Sequence, residues 1–119
     1  MRRPMPISEN DFKTGDIVVV PFPYTDRLAE KRRPALVVSN RGFNQRTGLL
    51  WVAMITSAEN EPWPDDIKIA TENKALTSAS VIRIAKLATI DAHRVVRSIG
   101  TIDKKAHAKL TKTVQTVIA

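Results

Sequence analysis

The chain has 119 residues, 43% of them apolar, and its 19 Lys and Arg against 12 Asp and Glu give a formal charge of +7. That size fits one domain with one core, and no apolar run approaches the ~20 residues that cross a bilayer. Zero cysteines exclude disulfides, thiolate metal sites and cysteine nucleophiles together, while the cationic excess favours a polyanionic partner, nucleic acid or an acidic protein.

Residues 1–14 read as a basic, weakly ordered N-terminal arm in which Pro4 and Pro6 bar regular structure, and residues 15–119 as a single domain. The arm lacks the apolar core of a secretory signal, so a cytoplasmic location is expected. Gly15-Asp16 is a turn that feeds a first strand over roughly residues 16–23, centred on Ile17-Val18-Val19-Val20. A charged loop follows, ending in Lys31-Arg32-Arg33 directly before Pro34. The second strand runs over about 34–40 and is closed by Asn40-Arg41-Gly42. Leu49 to Ser57 is apolar, β-branched and of strand length; residues 59–66 hold two prolines and form a loop. Ile67 and Ile69 alternate with polar neighbours, as in a short edge strand.

Over residues 80–90, Ile82 and Ile84 face one way and Arg83 and Lys86 do not, with a phase slip near Ala85 that suggests a bulge. Asp103 is a candidate N-cap, and Ala106, Leu110, Val114 and Val117 recur at helical spacing through Ile118. That helix is amphipathic and covers one side of the sheet. The fold class is therefore mainly β with a C-terminal α-helix (α+β). Five short strands without intervening helices favour a curled antiparallel sheet or small barrel.

Metal sites need clustered ligands, and the two histidines, His93 and His107, sit in different elements, where surface or capping roles suffice. No metal or cofactor is expected. No Ser-His-Asp order, P-loop or dinucleotide glycine pattern is present, which sets aside conventional hydrolase, kinase and redox chemistry. Cations and hydroxyls near strand ends remain. Arg33, held extended by Pro34, can present a planar fork to phosphate oxygens, with Lys31 and Arg32 adding to the local field. Thr56 and Ser57 can hydrogen-bond a phosphate or close a turn. Arg83 either faces a substrate or pairs with Asp16, Asp26 or Glu30. Trp51 reads as core and Trp63 as a loop anchor, rather than as base-stacking groups with Tyr24.

Gly15-Asp16-Ile17-Val18, Phe22-Pro23, Arg33-Pro34-Ala35-Leu36-Val37-Val38-Ser39, Phe43-Asn44, Thr47-Gly48, Ile55-Thr56-Ser57 and Ser80-Val81-Ile82-Arg83 follow one another in order, ahead of Lys86 and Thr89-Ile90-Asp91. The ordered set resembles the MazF/PemK family of toxins from type II toxin–antitoxin systems over about residues 15–118. The resemblance implies a homodimeric, metal-independent endoribonuclease acting on single-stranded RNA, with an antitoxin segment that blocks the RNA groove. It maps the catalytic pair onto Arg33 and Thr56, and substrate-facing polar residues onto Arg83 and Lys86; Lys31, Arg32 and Ser57, read from the residues themselves, are further substrate-binding candidates.

Two positions depart from the pattern. Leu28 stands five before the arginine, where many relatives carry an acid, and Ala85 stands where some carry an aspartate. Glu30 is the substitute candidate for the general base. Two other readings of the scaffold are a non-enzymatic gyrase poison like the CcdB family and a nucleic-acid-binding module without catalysis.

Overall fold

The computed structural model describes residues 11–22, 31–70, 73 and 75–118. In chain order the elements are β1 (Asp16–Phe22), β2 (Lys31–Val37), a short helix α1 (Arg41–Thr47), β3 (Leu49–Ser57) and β4 (Ile67–Lys68). They continue with β5 (Ser80–Asp91), a 3-10 turn (Ala92–Arg94), β6 (Arg97–Thr101) and α2 (Lys104–Val117). The strands form one curled, six-stranded sheet in the order β4-β5-β3-β2-β1-β6, antiparallel at every pairing. None of the described helices is long and apolar enough to cross a membrane.

Alternation along the strands builds two apolar layers. Ile17, Leu36, Ile55 and Ile82 gather on one face with Ala106 and Leu110 of α2. Val18, Val20, Ala35, Val37 and Val52 gather on the other with Phe12 and Ala92. Phe12 lies in the segment expected to be an arm; the first ten residues of that segment fall outside the described residues. The run Leu49 to Ser57 is a strand over the whole expected length. The expected bulge in β5 is also found: Ala53 pairs with Leu87 but Met54 with Arg83, which leaves three residues of β5 out of register.

Several expectations need correction. The second strand starts at Lys31 rather than near 34, because Lys31, Arg32 and Arg33 pair with Phe22, Pro21 and Val20 of β1. The basic run is therefore on the sheet, not in a loop. Asn40 does not simply close that strand; it N-caps α1, its Oδ1 accepting from the Phe43 N–H at 2.9 Å. Gly48, in the left-handed region at φ 74°, ends α1.

A sixth strand, β6, was not expected. Trp51 is 40% exposed rather than core, and Val117 is 56% exposed while Thr113 takes a buried place on α2. With Leu87 and Ile118, both tryptophan and valine line an apolar groove of about 370 Å³ beside the end of α2. At the other end of the helix, Asp103 caps as expected, accepting from the Ala106 N–H at 3.1 Å.

Candidate active site

Arg33 pairs with Val20, so it lies on the sheet face of Val18 and Val20, away from α2. On the other side of β2, Ala35 pairs with Met54 of β3. The ladder ends at that pair, and by alternation Arg33 and Thr56, each two residues further on, keep to the same face. Both line a pocket of about 250 Å³, together with Ser57, Asn60, Ser78 and Ser80. Arg33 is half-buried, and its Nε atom is fully buried. None of the described residues lining the pocket is acidic. One guanidinium and the hydroxyls of Thr56 and Ser57 suit a small anion such as a phosphodiester, because each can donate a hydrogen bond and one carries charge; the Ser80 hydroxyl already donates to the Ser78 carbonyl at 2.9 Å.

The hydroxyls are already oriented by the turn after β3. Ser57 Oγ accepts from the Glu59 N–H at 3.1 Å, which closes the turn and leaves the hydroxyl proton to be donated. Thr56 Oγ1 accepts from Asn60 Nδ2 at 2.7 Å. The Asn60 N–H in turn bonds the Ser57 carbonyl at 3.1 Å.

Of the other expected site residues, Lys31 and Arg32 are exposed on β2. Lys31, two positions from Arg33, shares its face; Arg32 points to the other. Glu30 lies outside the described residues, as do Tyr24, Asp26 and Leu28.

Arg83 is only 7% exposed. Its expected alternatives were substrate or a pairing with Asp16, Asp26 or Glu30; the structure pairs it with Asp66, Nη2 to Oδ2 at 3.0 Å. Asp16 pairs instead with Lys13. The Arg83 guanidinium also donates to the Glu61 carbonyl at 2.9 Å and stands 4.5 Å from the centre of the Trp63 ring. Lys86 approaches the same ring at 5.7 Å. Trp63 thus anchors its loop, as expected, and Arg83 and Lys86 form the anchorage.

Burial pushes the Asp66 carboxyl up, but the Arg83 hydrogen bond, the Trp63 N–H and the guanidinium charge outweigh it and hold the group below the ordinary carboxylate range. His93 and His107 are both exposed, and His107 packs against Gly15.

Asn60 and Asp66 are the polar residues that sequence reasoning passed over. Asp66 carried a signal: an aspartate after Trp63-Pro64 can close a turn on its own backbone, and its Oδ2 accepts from the Trp63 N–H at 2.9 Å. Asn60 carried a weaker one: it stands four residues after Thr56, in the turn that its own N–H closes on the Ser57 carbonyl.

A family model described as the PemK-like, MazF-like toxin of type II toxin–antitoxin systems matches residues 13–118. No curated protein matches the chain in sequence. Among solved structures, MazF from Deinococcus radiodurans superposes with a TM-score of 0.70 at 21% identity, over 89% of this chain and 94% of that one. An endoribonuclease in complex with its cognate antitoxin, from a mycobacterial species, gives 0.69 at 16% identity, over 92% and 94%. The Mycobacterium tuberculosis toxin MazF-mt6 gives 0.68 at 18% identity, over 85% and 93%. At these identities the likeness is one of fold.

Proposed function

The chain belongs to the PemK-like, MazF-like toxins of type II toxin–antitoxin systems, and from that membership we propose that it is a metal-independent endoribonuclease cutting single-stranded RNA. The observation that supports this most is the meeting of Arg33 and Thr56 in one hydroxyl-lined pocket. RNA carries its own nucleophile. The 2′-OH attacks the adjacent phosphorus, the P–O5′ bond breaks, and the products are a 2′,3′-cyclic phosphate and a 5′-hydroxyl. The enzyme must take the 2′ proton, stabilise charge on the phosphoryl oxygens and return a proton to the leaving oxygen.

Arg33 supplies the charge, and Thr56 donates a hydrogen bond to the same phosphate. A guanidinium, with a pKa above ~12 when free, is a poor base, so the 2′ proton goes to a carboxylate, for which Glu30 is the candidate. Lys31, on the face of Arg33, adds to the field that draws the RNA backbone. The partners that go with this reading are a second copy of the chain and an antitoxin whose acidic segment occupies the RNA groove.

The test is incubation of purified protein with a long, chelator-treated RNA, with sequencing of the fragment ends. Discrete fragments with 5′-hydroxyl ends support the reading. Intact but gel-shifted RNA would indicate a binding module, and intact, unshifted RNA a protein target such as gyrase.

A further inference from the structure

We propose that Asn60 is a positioning residue for cleavage, acting through the hydroxyl of Thr56. The inference rests on the ribonuclease reading above. A threonine hydroxyl can both donate and accept, and left alone its proton rotates to whichever acceptor is nearest. Here Asn60 Nδ2 donates to Thr56 Oγ1 at 2.7 Å, which occupies a lone pair of that oxygen. The hydroxyl proton is then left to point into the pocket that Thr56 shares with Arg33. A phosphate seated there meets an aimed donor rather than a rotating one, and preorganised donors are those that stabilise developing charge at least cost.

The loop is built to hold Asn60 in place. Its N–H is fixed to the Ser57 carbonyl at 3.1 Å. The next carbonyl, that of Glu61, accepts from Arg83 Nη2 at 2.9 Å. Beyond it, Trp63 and Asp66 bind the same buried guanidinium. Asn60 is itself exposed and makes no part of either apolar layer, so packing does not account for its placement.

The experiment compares cleavage by wild type, Asn60→Ala, Asn60→Asp, Thr56→Ala and Thr56→Ala/Asn60→Ala, all with matching thermal midpoints. Asn60→Ala should lower the single-turnover rate about tenfold with RNA affinity unchanged, a fraction of the loss from deleting a donor outright. Asn60→Asp should be worse at neutral pH, because an ionised carboxylate only accepts and draws the Thr56 proton to itself. Its rate relative to wild type should recover as pH falls through the carboxyl range, while the Asn60→Ala ratio stays flat. On the Thr56→Ala background, Asn60→Ala should cost nothing further.

A wild-type rate in Asn60→Ala, a neutral Asn60→Asp, or full additivity with Thr56→Ala would overturn the proposal. If wild type cleaves and only the Asn60 predictions fail, the ribonuclease reading stands without this inference. If wild type leaves RNA intact, both fall.

Discussion

Arg83 and Asp66 meet through two hydrogen bonds, Nε to Oδ1 at 3.2 Å and Nη2 to Oδ2 at 3.0 Å, with side chains only 8% and 11% exposed. The pair joins the first third of β5 to the loop that follows β3. That loop carries Asn60 toward the pocket, so an interior ion pair is tied to the shape of the site. Replacing Arg83 by Met leaves a desolvated carboxylate without its cation and should cost about 3–5 kcal/mol of stability. Replacing both members by apolar residues of similar volume should recover most of that loss. Urea unfolding of the single and double variants is the measurement.

Acid should act through the same pair. The folded Asp66 pKa is depressed, so its contribution is present above the unfolded carboxyl value near ~4 and is lost as pH falls through the folded one. Asp103 behaves alike: burial raises its pKa, and the Ala106 and Ala70 N–H groups outweigh that. Stability against pH should therefore show an acid limb, shallower in Asp66→Asn. An unchanged limb in that variant would mean that other carboxyls carry it.

Arg33→Ala should lower RNA cleavage ~10²-fold or more with little change in the unfolding midpoint, by analogy with loss of an oxyanion donor. Arg33→Lys keeps the charge but not the planar fork, and should fall between. Single-turnover cleavage of chelator-treated RNA reads both. Unaltered rates would remove Arg33 from the mechanism.

Asp103→Ala should cost about 1 kcal/mol, the usual effect of losing an N-cap. Its Oδ1 also accepts from the Ala70 N–H at 3.3 Å, so the loss reaches the strand region beside α2. Helical circular dichroism during denaturation reports it.

Gly15→Ala should destabilise by roughly 1–3 kcal/mol for its backbone alone, since φ is +99° there. An added Cβ would also stand 2.9 Å from His107 Cδ2. The double variant with His107→Ala should relieve the clash but keep the backbone strain, so recovery in midpoint should be partial.

Strands with dense β-branched runs, such as Leu49 to Ser57, were legible because their period and composition agree. Helix α2 was legible from Asp103 and its apolar spacing. β6 was not: Arg97-Ser98-Ile99-Gly100-Thr101 has little to bury and is made by pairing with β1. Helix α1 spans seven residues, too few to show a period, and only its caps Asn40 and Gly48 mark it. Trp51 looked interior because it sits in an apolar run, yet its side chain falls in the groove beside the end of α2. At the site, Arg33 and Thr56 could be paired through family likeness, whereas the pairing of Asp66 with Arg83 depends on a loop crossing back to β5, which no local pattern encodes.

The three extra residues of β5, 84 to 86, also explain how one strand can serve two interiors. Ile82 and Ile84 feed the layer under α2, while Ala88 and Ile90, also even-numbered, feed the layer with Phe12. Strict alternation would send all four the same way. The irregularity works as a phase inverter, and its odd length is what matters. Deleting a single residue from it would turn one half of β5 inside out, driving either Ile82 and Arg83 or Ala88 and Ile90 to the wrong side.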